Sequence, residues 1–267
     1  MKGELAILTS AIMMSSVSIF VRNTGEDALS VTFLRLFFAT IFLSFFAILS
    51  RERLAFSKIL LILAFLNLLT ISSYISAIQT IEVGIAALLL YMAPIYVTAI
   101  AHALGERIEK STLLALPLGL FGLYLMLSPY AELSIGIIFG IVSGISYAFV
   151  FTFSKKAREY HSPFQISFFN VFLGSLVLFP YFLLLGEKTF SIPWAIGLGL
   201  IPTAIPFMLF AYGIKSVKLQ KAPIIALIEP MFAVLIGYLY FGEVLNERQI
   251  IGGAMILIAT AISFRGH

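Results

Sequence analysis

Ala86-Ala-Leu-Leu-Leu-Tyr-Met-Ala-Pro94 returns 136 residues later as Ala222-Pro-Ile-Ile-Ala-Leu-Ile-Glu-Pro230. Each copy runs on through apolar residues to a Gly-Glu pair, Gly105-Glu106 and Gly242-Glu243. These pairs lie 137 residues apart, so the repeat carries a one-residue slip. Upstream, Gly3, Ser10 and Arg22 are echoed by Gly136, Ser143 and Lys155 at an offset of 133. The chain therefore reads as two similar halves, residues 1–130 and 134–267. Duplication inside an apolar chain is how many membrane folds are built, two halves packing about a pseudo-two-fold axis.

Composition names the solvent. Hydrophobic residues make up 61% of the chain and charged residues 11%, against roughly 25% charged in soluble domains. A soluble globule of 267 residues could not clothe that much apolar surface, so lipid must surround most of it. The absence of cysteine excludes disulfides and thiolate sites. The apolar run from Leu5 reads as a first membrane span rather than a cleaved leader.

Ten apolar stretches are marked at about Leu5–Val21, Ala28–Leu49, Ile59–Ala77, Val83–Leu104, Thr112–Leu127, Ser134–Phe153, Phe164–Leu185, Ile192–Ile214, Ala222–Phe241 and Ile250–Phe264. Most approach the roughly 20 residues that cross a bilayer as a helix. Period-two alternation is missing, which excludes barrel strands. With the N-terminus inside, thirteen basic residues fall on the inner side: Lys2, Arg51, Arg53, Lys58, Arg107, Lys110, Lys155, Lys156, Arg158, Lys215, Lys218, Lys221 and Arg265. Only Arg22, Lys188 and Arg248 fall outside. This positive-inside bias predicts both termini in the cytoplasm and a plasma-membrane location. It also accounts for the net charge of +4 without nucleic-acid binding. Five spans per half is an odd number, so the halves enter the membrane from opposite sides. The predicted fold is all-α, with ten transmembrane helices arranged as two inverted five-helix repeats.

Two charges lie deep in spans. Arg35 is about seven residues from the outer end of span 2, roughly 10 Å down, and Glu229 about eight residues from the inner end of span 9, roughly 12 Å down. In a core of roughly 30 Å those depths leave about 8 Å between them, so a direct ion pair is not expected. Arg35 has three readings: snorkelling to headgroups, capping loose carbonyls, or binding a solute. The short Glu229 side chain reads as cavity-lining in preference to a helix clamp. Tyr74, Tyr91, Tyr147, Tyr212 and Asn170 could line a pocket with them, as could Asn67 and Gln79.

Pro94 and Pro230 are repeat mates and predict bends at equivalent depths, while Pro202 and Pro206 predict an irregular span 8. Gly136, Gly140 and Gly144 form a double GxxxG face, read first as packing within the chain and only second as a dimer interface. That favours a monomer over an obligate oligomer. Glu106 and Glu243 are expected to favour the N-termini of the helices that follow them. Trp194, Tyr130 and Tyr181 are candidate interface anchors.

No Walker A, HExxH or GxSxG run occurs, and His102, His161 and His267 are scattered. No catalytic residue, metal or cofactor is expected.

With Arg35 in Phe-Leu-Arg-Leu-Phe-Phe, Ala93-Pro94 followed by Gly105-Glu106, Glu229-Pro230 followed by Gly242-Glu243, and Gly252 in span 10, the chain resembles a ten-helix, EamA-type member of the drug/metabolite transporter superfamily. The resemblance covers essentially the whole chain, once per half. It implies a secondary carrier, often an exporter of amino acids, related metabolites or toxic organic solutes. Phe168 stands where Arg35 maps and Ala93 where Glu229 maps, so the polar equipment is asymmetric on a symmetric scaffold. The first span has only Glu4 at its edge, so the proton scheme of the small multidrug-resistance relatives does not carry over directly. The expected function is alternating-access transport of a small organic solute, with export the expected direction and the proton the candidate coupling ion. A channel or a non-transporting membrane assembly subunit is the alternative.

Overall fold

A computed structural model describes residues 1–24, 27–78, 80–81, 83–127, 134–184 and 190–265. Gln79, Tyr130, Lys188 and His267, named above, lie outside the described residues. Among the described residues, ten helical stretches are long and apolar enough to cross a membrane. In order they are Lys2–Val21, Leu29–Ser50, Lys58–Ala77, Gly84–Ala103, Lys110–Leu127, Ile135–Ala157, Pro163–Leu184, Ile192–Ile214, Ala222–Phe241 and Glu247–Phe264, here spans 1 to 10. The described residues contain no strand. In hydrocarbon a helix alone satisfies its own backbone polar groups, so an apolar run of this length has no competing solution except a closed barrel.

Packing respects the repeat. Spans 5 and 10 pack on each other, as do spans 2 and 7. Span 3 packs on span 6 as span 8 packs on span 1, span 4 lies on span 6 as span 9 lies on span 1, and span 2 meets span 8 as span 7 meets span 3. Exchanging spans 1–5 for spans 6–10 maps this set of contacts onto itself, as a two-fold relation between the halves requires. The double GxxxG face is used inside the chain. A Cβ on Gly140 would run into the Leu89 side chain, and one on Gly144 into the Leu89 carbonyl. Span 4 thus lies against span 6 at backbone distance.

Four spans are interrupted. Span 4 breaks at Tyr91–Met92, between helices Val83–Leu90 and Ala93–Ala103. Span 9 breaks at Leu227, between Ala222–Ala226 and Ile228–Phe241. Tyr91 and Leu227 are 136 apart, so the breaks are repeat mates, each just ahead of its proline. Span 8 carries a π-helical turn, Leu200–Ala204, around Pro202. Span 1 breaks at Ser16 between Lys2–Ser15 and Val17–Thr24, whereas its mate, span 6, runs as one helix over Ile135–Ala157. No proline announces the span 1 break. Ser15 and Ser16 instead donate their hydroxyls to the carbonyls of Ile12 and Met13, the local competition by which serine loosens a helix.

Candidate functional site

The π-turn of span 8 shows how two prolines build a binding surface for an arginine. Proline has no N–H, so each leaves the carbonyl four residues earlier without its helical donor. Pro202 frees the carbonyl of Leu198, and the Thr203 hydroxyl donates to it at 2.7 Å. Pro206 frees the carbonyl of Pro202, and a terminal nitrogen of Arg35 donates to it at 3.2 Å. Arg35 Nε also donates to Thr203 Oγ1 at 2.8 Å. The guanidinium lies over Phe207, 5.7 Å from the ring centre. Of the readings for Arg35, carbonyl capping is therefore realised. The capping uses two of five guanidinium N–H donors and leaves the others for a further partner.

The span 9 break does something comparable for Glu229. A carboxylate in mid-helix meets no backbone donors, but Glu229 sits in the first turn of the new helix Ile228–Phe241. There the free N–H groups and the dipole favour negative charge. Tyr91, from the matching break in span 4, lies within electrostatic reach of the Glu229 carboxyl. Arg35, Tyr74 and Tyr147 all lie within electrostatic reach of Glu229. Arg35 and Glu229 form no ion pair. Each keeps part of its surface open.

Beside this cluster is a cavity of about 70 Å³ whose walls come from spans 1, 3, 6, 7 and 8 and whose lining contains neither Arg35 nor Glu229. Asn67, Tyr147, Ser154, Ser167 and Asn170 give it polar lining, and Phe207 and Phe210 an aromatic wall. A smaller space of about 10 Å³ adjoins it, sharing Asn67, Asn170 and Phe207. Tyr147 belongs both to this cavity and to the Glu229 cluster, so it joins the two. Arg35 lies over Phe207, a wall residue, and is not itself in the lining. Of the residues proposed from sequence, Arg35, Glu229, Tyr74, Tyr91 and Tyr147 are gathered, and Asn170 lines the cavity beside Tyr147. Tyr212 is not gathered: it is 50% exposed on the outside of span 8 and lines neither space. Pro94 and Pro230 flank the two breaks, and Pro202 and Pro206 form the π-turn. Thr203, Ser154 and the aromatic wall were not singled out from sequence. The Pro-Thr-Ala-Ile-Pro spacing held the signal for Thr203, since two freed carbonyls need donors.

A second polar assembly joins the halves at the end rich in Lys155, Lys156 and Lys218, here called the basic side. Glu109 accepts from Lys221 at 2.8 Å and from Lys218 and Ser111. The Glu109 N–H donates to Gln220 Oε1, and Gln220 Nε2 donates to the Arg107 carbonyl. Gln220 is 0% exposed and Lys221 2%. Glu106 accepts from the N–H of Leu219 at 3.2 Å and lies 3.8 Å from Lys155, which itself donates to the Val217 carbonyl. Glu106 thus reaches the connection between spans 8 and 9, not the N-terminus of span 5 as expected from its position. Burial pulls the Glu109 carboxyl upward, but the hydrogen bonds from Lys218, Lys221 and Ser111 prevail and hold it at about 2. The Lys218 ammonium is correspondingly raised by its hydrogen bond to Glu109. This latch ties residues 106–109 of the first half to residues 218–221 of the second.

Comparison with known proteins agrees with this architecture. The EamA-like transporter family model matches residues 1–128 and again 134–265. An "Uncharacterized transporter" of Archaeoglobus fulgidus is 60% identical over 263 residues, 98% of this chain and 96% of that protein. The pseudopaline exporter CntI of Pseudomonas aeruginosa is 25% identical over 209 residues, 75% of this chain and 72% of its own. A solved crystal structure matches with a TM-score of 0.85 at 15% identity, covering 97% of this chain and 95% of that one, a likeness of fold.

Proposed function

The chain belongs to the EamA-like transporter family, a multi-pass membrane transporter and not an enzyme, and on that premise we propose that it is an alternating-access exporter of a small zwitterionic metabolite, an amino acid or a related solute. One observation carries the reading. A carboxylate at a helix break, Glu229, and a guanidinium with spare donors, Arg35, lie within electrostatic reach of each other and of Tyr147, which lines the cavity, and form no ion pair. A solute bearing both an ammonium and a carboxylate answers that pair, the ammonium on Glu229 and the carboxylate on Arg35. Tyr74, Tyr91, Tyr147 and Asn170 complete the lining, and Tyr212 is dropped from the set. Glu229 is also the group to exchange a proton for the solute.

The two halves, 1–130 and 134–267, act as the moving bodies, hinged at the breaks beside Pro94 and Pro230 and at the π-turn of Pro202 and Pro206. The basic side is the cytoplasmic side, in the plasma membrane, with both termini there. The Glu109 latch is the barrier that must open for solute to enter from that side. The exporter name of one relative supports the direction, and the use of the GxxxG face within the chain supports a monomer.

The test is counterflow in proteoliposomes, with labelled zwitterionic amino acids, organic cations and organic anions tried in turn. Saturable exchange of zwitterions, lost in Glu229→Gln protein that still folds, is the expected result. Unsaturable ionic current in place of exchange, or exchange of anions alone, would overturn the reading.

A further inference from the structure

Away from the solute site, a cavity of about 430 Å³ opens at the basic side between the start of span 3 and the end of span 6. Its rim carries Lys58 and Lys156, 98 residues apart in sequence and one from each half. Ile59, Ile62 and Phe153 form its wall on the membrane side, and no carboxylate lines it. The neighbouring lysines are occupied: Lys155 by Glu106, Lys218 and Lys221 by Glu109. Lys58 and Lys156 are exposed and make no hydrogen bond or ion pair among the described residues.

The floor is ordered. Ser57 Oγ and His161 Nε2 lie 2.6 Å apart, His161 Nδ1 lies 3.1 Å from Gln165 Oε1, and Gln165 Nε2 donates to the Arg53 carbonyl at 2.7 Å. This chain of bonds fixes the connection before span 3 to the connection before span 7, so the two rim lysines are held over one space.

We propose that this cavity holds an anionic phospholipid, its phosphate between the Lys58 and Lys156 ammonium groups and an acyl chain along Ile59, Ile62 and Phe153. Two unpaired cations above an apolar wall at the level where a span begins match the amphipathic order of a lipid: charge at the interface, hydrocarbon below it. A soluble phosphate would satisfy the ammonium groups but leave the apolar wall uncovered. Because the rim lysines come from different halves, one headgroup would bridge the halves on the side where the Glu109 latch also holds them.

The experiment uses full-length protein in lipid nanodiscs and native mass spectrometry with phosphatidylglycerol and phosphatidylcholine. Phosphatidylglycerol should be retained roughly ten- to thirty-fold better, the product of two lysines each acting on one lipid charge. Lys58→Gln/Lys156→Gln should abolish that preference while the charge-keeping Lys58→Arg/Lys156→Arg retains it. Lys110→Gln/Lys215→Gln, with the same loss of charge on the same side, should leave it intact. Melting in phosphatidylcholine alone reports whether each variant is folded. Equal retention of the two lipids overturns the proposal, as does equal loss in both glutamine variants. Saturation of the site by inorganic phosphate or glycerol 3-phosphate, with no lipid preference, overturns it as well.

Discussion

The turn after span 4 and the turn after span 9 are repeat mates that share a left-handed glycine and serve two different uses. Gly105 and Gly242 both adopt the left-handed conformation, φ 90° and 69°, which ends a helix at little cost only for glycine. The next N–H bonds back to the Ala101 carbonyl in one copy and the Gly237 carbonyl in the other. There the likeness ends. On the basic side Glu106 and Glu109 cross to the connection between spans 8 and 9. On the opposite side Glu243 lies against Gly237 of its own helix. Asn246, the mate of Glu109, exchanges hydrogen bonds with Gln249, its side chain accepting from the Gln249 N–H and its own N–H donating to Gln249 Oε1. That is a local capping box. The duplication thus keeps a left-handed glycine at each turn, while Glu106 and Glu109 of one turn bond across the halves and Asn246 of the other bonds to its neighbour Gln249.

The sharpest way to break this comparison is sidedness. The chain has no cysteine, so single cysteines report cleanly. Lys156→Cys should label only from the cytoplasm and Asn246→Cys only from outside, an all-or-none difference. Labelling of both from one side in intact cells would remove the inverted arrangement.

Next comes the asymmetry of the centre. Glu229→Gln should cut transport at least about tenfold, since a hydrogen bond to a charged group is worth about 1.5–3 kcal/mol. Moving the acid to the mate position, Ala93→Glu with Glu229→Ala, should not restore transport, because Ala93 is buried in the packing of span 4. Recovery of transport would mean that the halves are interchangeable at this point.

The two turns can be compared directly. Glu109→Gln should raise the reactivity of a cysteine at Ser154, in the cavity wall, toward a cytoplasmic reagent several-fold, with little change in abundance. Asn246→Ala should lower stability by about 0.5–2 kcal/mol, the usual cost of losing an N-cap, and leave that reactivity alone. The reverse pattern would transfer the barrier to the other side.

A smaller effect separates spans 3 and 8. Thr70 and Thr203 are mates at an offset of 133, but Leu69 and Ser73 stand where span 8 has Pro202 and Pro206. Thr203→Val strands the Leu198 carbonyl and Arg35 Nε and should cost about 1–3 kcal/mol. Thr70→Val should cost less, because of the two partners of its hydroxyl the Leu66 carbonyl keeps its helical donor and Ser146 keeps its bond to the Ser143 carbonyl. Thermal melting of the two variants decides this.

The smallest effect is the pH dependence of the latch. Glu109 is held at about 2, below its ordinary 4.5, so its contribution is fully present above about pH 4.5 and is lost as pH falls from there toward 2. The melting difference between the native chain and Glu109→Gln should therefore close over that window and stay constant from pH 5 to 8. A difference that persists at pH 2 would remove Glu109 from the latch.

Sequence alone determined the helices, their number and the division into halves. Each of these rests on a local or periodic property: apolar length, the positions of lysine and arginine, and a repeat at 133–137 residues. The bends of spans 4 and 9 were legible for the same reason, because proline acts on its own helix. The break at Ser16 was not, since serine loosens a helix only where surrounding packing permits. Tertiary structure alone decided the partners. Arg35 is committed to span 8 because Pro206 strands a carbonyl opposite it. Glu229 gains a helix N-terminus because the chain breaks two residues earlier. Glu109 meets Lys218 and Lys221 only because the halves pack together. A charge reads in sequence as a cost to be met, but what meets it lies more than a hundred residues away and is set by which helices touch.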